Sequence, residues 1–198
     1  KVQESAPDRK RRPPLALRTV RWDSATGYCD AQPLLLGVGD IYDELKEKFV
    51  AASKALKVGN GLDPASQMGP VISAQARDNI LCRIEEALKD GAKLVLDGRS
   101  LKVPGHEKGF FIGPTILENV TPDMHIAREE VFGPVVCLMR AGTLDEAVEL
   151  VNDLSYANSA CIYTQSGKAA REFKYKVHPS MIGVNIGIAA PMSFFPFG

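Results

Sequence analysis

At 198 residues the chain is long enough for one domain of ordinary size. With 45% hydrophobic residues, 24% charged residues and a formal net charge of zero, it lacks the basic excess that marks a polyanion-binding protein. No apolar run approaches the ~18 residues a membrane-spanning helix needs, no signal-peptide core is present, and the four cysteines are too widely spaced for a C-x-x-C pair. Neither a metal site nor a disulfide framework is therefore expected, and a cytoplasmic setting, or a mitochondrial matrix if the source is eukaryotic, fits best.

Residues 1–28 differ from the rest. Lys1, Arg9, Lys10, Arg11, Arg12, Arg18 and Arg21 outnumber Glu4, Asp8 and Asp23, while Pro7, Pro13 and Pro14 break any helical pattern. Without interleaved aromatics the basic cluster does not read as a nucleic-acid arm. An atypical, flexible basic leader is expected here.

From residue 33 onward strands and helices alternate. Residues 33–38 form a short apolar run bounded by acids, the pattern of a strand buried on both faces. Ile41, Leu45, Phe49, Ala52 and Leu56 then recur at helical spacing, and Gly59 is placed to close that helix. Residues 59–70 read as a loop rich in Gly, Pro, Asp and Asn. Ser73 is placed to cap a second helix over 74–90, with Ile80, Ile84 and Leu88 as its buried stripe and Gly91 beyond its end. Residues 92–96 read as a strand, 97–108 as a polar loop, and 110–117 and 135–139 as further strands. Thr143 and Glu146 have capping-box spacing at the start of a helix over 144–154. A strand at 160–164, a helix at 167–177 with Ala170, Phe173 and Val177 on one face, and a strand at 182–186 complete the series. Such alternation predicts an α/β fold with a mainly parallel sheet and flanking helices.

The richest stretch is E-E-V-F-G-P-V at 129–135, two adjacent carboxylates followed by an aromatic and a backbone-fixing Gly-Pro pair. It does not stand alone. I-Y-D-E-L at 41–45, K-A-L-K-V-G at 54–59, M-G-P-V-I-S at 68–73, G-F-F-I-G-P-T at 109–115, I-A-R at 126–128 and G-V-N at 183–185 accompany it. In order and spacing this set resembles the aldehyde dehydrogenase superfamily over roughly residues 29–198. The run I-G-I-A-A-P-M-S-F-F-P-F-G at 186–198 is most similar to the CoA-acylating methylmalonate-semialdehyde dehydrogenase branch.

The resemblance implies the catalytic-domain half of such an enzyme over residues 29–198, with the coenzyme domain outside this sequence. No G-x-G-x-x-G fingerprint occurs, since Gly37-Val38-Gly39 lacks the third glycine. The implied cofactor is NAD, with CoA as acyl acceptor and a small-molecule aldehyde as substrate. Glu130 matches the family's acid that hydrogen-bonds the nicotinamide-side ribose, and Phe132 the aromatic beside the nicotinamide. Cys29 matches the nucleophile, whose thiolate attacks the aldehyde and carries the acyl group as a thioester. Before it, Thr26-Gly27-Tyr28 departs from the family's usual G-Q-x. Asn185 matches a position near the active site, although an Asn at a strand end also suits a turn cap. Phe194 and Phe195 match the loop that shapes the substrate pocket.

The family's general-base Glu and oxyanion-hole Asn precede the Cys and have no counterpart in residues 1–28. Each missing group costs on the order of 10² in rate, so no turnover is expected from this chain alone. Cys82, Cys137 and Cys161 read as buried structural cysteines, and His106, His125 and His178 as isolated histidines. The uncharged tail at 186–197 is expected to drive self-association. Two other readings remain open: a non-catalytic module that keeps the fold and pairs with another subunit, and a non-acylating semialdehyde dehydrogenase, since Asp30 is unusual beside the Cys of the methylmalonate branch.

Overall fold

A computed structural model describes residues 34–154 and 159–186. Its elements run β1 (Leu34–Val38), α1 (Ile41–Lys54), α2 (Ala74–Lys89), β2 (Lys93–Leu96), β3 (Thr115–Glu118), α3 (His125–Arg128), β4 (Val135–Ala141), α4 (Leu144–Asp153), β5 (Ser159–Ile162), α5 (Gly167–Lys176) and β6 (Met181–Val184). The strands form a four-stranded sheet ordered β1-β4-β3-β2 and a two-stranded sheet of β5 and β6. β4 pairs in parallel with β1 and β3, β5 pairs in parallel with β6, and only β2 runs antiparallel, against β3. This is the α/β fold with a mainly parallel sheet that the alternation predicts.

β4 lies at the centre of the larger sheet and sets its two faces. Val135, Cys137 and Met139 enter the core under α2, while Val136 and Leu138 enter the core under α1. Side chains alternate across a strand, so both faces stay apolar only if both are covered by helices. α2 supplies Ile80, Ile84 and Ala87 to one face, and α1 supplies Tyr42, Leu45 and Phe49 to the other. Ile84 is fully buried, which contributes about 1.5–3 kcal/mol. A third, smaller core joins Val148 of α4, Phe173 of α5 and Ala160 of β5.

The caps follow the sequence closely. The hydroxyl of Ser73 accepts from Ala76 N at 3.0 Å, and that of Thr143 accepts from Glu146 N at 3.2 Å. The return bond of the second cap shifts by one residue: Gly142 N, rather than Thr143 N, donates to Glu146 Oε2 at 2.7 Å.

Three local expectations are corrected. The buried stripe of α1 is Tyr42, Leu45, Phe49 and Ser53, whereas Ile41 and Ala52 face solvent. Ser53 tolerates burial because its hydroxyl donates to Phe49 O at 2.7 Å. α1 also stops at Lys54, since Gln67 N donates to Lys57 O and Gly59 N to Met68 O, drawing 57–59 into a bridge with the next loop. The strand expected over 110–117 occupies only Thr115–Glu118. Before it, the backbone passes so close to Gly98 that a β-carbon there would stand 2.0 Å from Gly113 O. Gly113 N donates to Gly98 O at 2.8 Å, and Thr115 Oγ1 accepts from Gly98 N at 3.2 Å, fixing that crossing.

Candidate functional site

The 129–134 turn joins α3 to β4. Glu129 ends α3 in an extended conformation, its N–H donating to His125 O at 2.9 Å. Val131 is buried in the core under α2, and Glu130 and Phe132 on either side of it are exposed, as alternation along extended backbone requires. Phe132 keeps 62% of its surface exposed, unusual for a ring of that size. Gly133 N donates to Val131 O at 2.6 Å and Val135 N to Gly133 O at 2.8 Å, which tightens the turn. Thr115 N donates to Pro134 O at 2.9 Å and ties it to β3. One buried valine and one buried Gly-Pro pair thus hold an acid and an aromatic ring outward, two residues apart.

The glycine is a packing requirement. A β-carbon on Gly133 would stand 2.4 Å from Ile80 Cδ1 and 2.8 Å from Ile80 Cγ1. α2 therefore touches the floor of the turn.

The two oxygens of Glu129 turn back toward the helices: Oε2 accepts from Arg83 Nη2 at 3.1 Å, and Oε1 lies 2.8 Å from His125 Nε2. Arg83 Nη1 donates to Glu86 Oε2 at 2.9 Å and also lies against His125 Nδ1. The Arg83 hydrogen bond, followed by one from Cys82, holds the Glu86 carboxyl below its ordinary value. His125 is thus not isolated, as its sequence context suggests, but part of a network spanning α2 and α3. Glu129 is only four residues away, but Arg83 lies 42 residues away, so no local signal announces the link to α2.

Asn185 is held by the backbone of the opposite strand end. It adopts a left-handed conformation with φ of 56°. Its own N–H donates to Ile162 O at 2.8 Å, Thr164 N donates to its Oδ1 at 2.9 Å, and its Nδ2 donates to Thr164 O at 2.9 Å. The side chain extends the β5–β6 pairing by one rung, the turn-capping geometry. Cys29, Phe194 and Phe195 lie outside the described residues.

The other cysteines divide. Cys137 is buried in β4, and burial pushes its thiol up to about 12. Cys161 is half-buried beneath Gly183. Cys82 is exposed, contrary to the burial expected of it, because it lies off the face of α2 formed by Ile80, Ile84 and Ala87. Its thiol donates to Glu86 Oε1 at 3.5 Å, which raises its pKa.

A cleft of about 510 Å³ is lined by Asn60, Pro70, His106, Lys108 and Phe111 among others; of the described site residues expected from sequence, Glu130, Phe132 and Asn185, it includes none. Among the described residues no group of three or more His, Cys, Asp or Glu could hold a metal, and no helix is long and apolar enough to cross a membrane.

Comparison with known proteins bears on the fold and the family. The chain is 47% identical over 174 residues to malonate-semialdehyde dehydrogenase 2 of Geobacillus kaustophilus (strain HTA426), an alignment covering 88% of this chain and 36% of that protein. It is 46% identical over 182 residues to the acylating, mitochondrial methylmalonate-semialdehyde dehydrogenase of Arabidopsis thaliana, covering 92% of this chain and 30% of that protein. A Sinorhizobium meliloti 1021 protein assigned as a methylmalonate-semialdehyde dehydrogenase, solved with NAD bound, superposes with a TM-score of 0.88 at 38% identity. That superposition covers 92% of this chain and 38% of that one, so the chain spans about a third of the length of the proteins it matches. The family model described as "Aldehyde dehydrogenase family" matches residues 21–198, and with these identities it establishes that the chain belongs to the aldehyde dehydrogenase family.

Proposed function

We propose that this chain carries the thiol nucleophile and the nicotinamide-side contacts of an NAD-dependent dehydrogenase of malonate semialdehyde or methylmalonate semialdehyde. The acyl group passes from Cys29 to CoA. The observation that carries the reading is the outward pairing of Glu130 and Phe132 on a turn whose alternate residues are buried. A carboxylate accepts hydrogen bonds from ribose hydroxyls, and an exposed ring offers a flat apolar face to a nicotinamide, so the pair fits that end of the dinucleotide. NAD, when bound, supplies the acceptor for the hydride that leaves the substrate carbon. Cys29 attacks the aldehyde carbon and holds the acyl group, and Asn185, Phe194 and Phe195 shape the acyl pocket. The names of the relatives support the substrate class, and the word "acylating" in the Arabidopsis name supports CoA over water as acceptor.

In this reading residues 29–198 are the catalytic-domain portion, and the 198-residue chain alone turns over no substrate. A second reading, a fold-keeping module that pairs with another subunit or with itself, is favoured by the exposure of Val184 (39%) and Ile186 (48%).

NAD binding tests the first reading. Contacts at one end of a dinucleotide give weak association once ordering costs are subtracted. Titration of the chain with NAD followed by NMR is expected to shift signals of Glu130 and Phe132 with weak affinity, and Glu130→Gln to weaken binding further. Signals at 130 and 132 that stay still at millimolar NAD, or sub-micromolar binding, would contradict it.

A further inference from the structure

We propose that Arg83 is a positioning residue for the 129–134 turn, clamping it from α2 through Glu129, the residue before the outward-facing Glu130. Ile80 and Arg83 are three residues apart and so neighbours on the same stretch of helix surface. Ile80 fills the space under Gly133, at the far end of the turn. Arg83 reaches its near end, donating to Glu129 Oε2 at 3.1 Å. The guanidinium is itself held: Glu86 Oε2 accepts from Nη1 at 2.9 Å, and the His125 ring lies against the same nitrogen. With His125 Nε2 2.8 Å from Glu129 Oε1, both oxygens of Glu129 are engaged on the helix side. A planar fork with several donors suits this task, because it can bridge two acceptors at once where an ammonium makes a point contact.

The clamp is a local device. Arg83 and Glu129 are both partly solvent-exposed, so the pair adds little to global stability while fixing the backbone entry to Glu130. Its relevance to a cofactor rests on the proposed function; its existence as a clamp does not.

The test uses the 198-residue chain, its Arg83→Met, Arg83→Lys and Glu129→Gln variants, and nicotinamide mononucleotide as probe. In Arg83→Met and in Glu129→Gln the amide signals of 129–133 are expected to broaden through exchange, while signals of the Ile84 core and the melting temperature hold. Arg83→Lys restores part of the sharpness. Because a disordered turn lowers the binding-competent fraction, the probe is expected to bind roughly threefold to tenfold more weakly in Arg83→Met, with Arg83→Lys between. Sharp, unshifted turn signals in both Arg83→Met and Glu129→Gln overturn the clamp. If the unaltered chain shows no probe-induced shift at 130 and 132, the cofactor reading fails, and the broadening still decides the clamp.

Discussion

Ile80 Cδ1 occupies the space a β-carbon on Gly133 would need, 2.4 Å from where that carbon would stand. Ile80 is itself only 3% exposed, so its side chain has little room to yield. Gly133→Ala is therefore expected to destabilise by about 1–3 kcal/mol through overpacking. Ile80→Val removes the nearer of the two clashing carbons at a cost of about 0.5–1.5 kcal/mol alone. The double variant is expected to lose less than the sum, and denaturant melts of all four proteins measure that coupling. Strict additivity would mean the two residues do not touch as described.

A second expectation concerns Asn185. Its side chain makes two hydrogen bonds to the Thr164 backbone while its own backbone is left-handed. Asn185→Ala loses both bonds and meets the steric penalty of positive φ, for an expected cost of about 1–3 kcal/mol. Asn185→Gly keeps the backbone conformation at no steric cost and loses only the bonds. A ranking of wild type, then Gly, then Ala in thermal melts supports the cap; Ala at least as stable as Gly argues against it.

The thiols give a pH test with a fixed sign. Burial raises the Cys137 pKa to about 12 from an ordinary 9.0, so its native value lies above its unfolded one. Its contribution to stability is complete below the unfolded value and is lost as pH rises from there toward 12. Cys137→Val, close in volume, is expected to flatten the alkaline decline measured by denaturant melts between pH 8 and 10, a window just around that ordinary value. Alkylation at neutral pH should leave Cys137 unmodified in the native chain. Cys82 is expected to react slowly for an exposed thiol, and Glu86→Gln to speed it, because the hydrogen bond to Glu86 is the leading cause of its raised pKa.

Much of this fold is legible in local sequence, and the exceptions share a cause. Ser73 and Thr143 announce their helices because a cap acts within three residues. The α1 stripe reads one position off at Tyr42, whose ring is covered by Arg140 from a distant strand, with its guanidinium carbon 4.2 Å from the ring centroid. The shortened strand before Thr115 reflects the contact between Gly98 and Gly113, which no periodicity encodes. At the site, Glu130 and Phe132 stand out by motif. Arg83 does not, because its partner Glu129 lies 46 residues away and only folding brings them together.

The central claim, that residues 29–198 supply the thiol and cofactor-facing turn of a CoA-acylating semialdehyde dehydrogenase, is tested most directly by grafting. Residues 29–198 would replace the matching segment of the Geobacillus kaustophilus relative, and NADH and acyl-CoA formation from malonate semialdehyde would be followed together. The graft is expected to form both products in equal amounts, to lose both in Cys29→Ala, and to weaken in NAD affinity in Glu130→Gln. NADH formation without acyl-CoA would assign the chain to a water-using branch. A correctly folded graft with no activity, or one whose activity survives Cys29→Ala, would contradict the account.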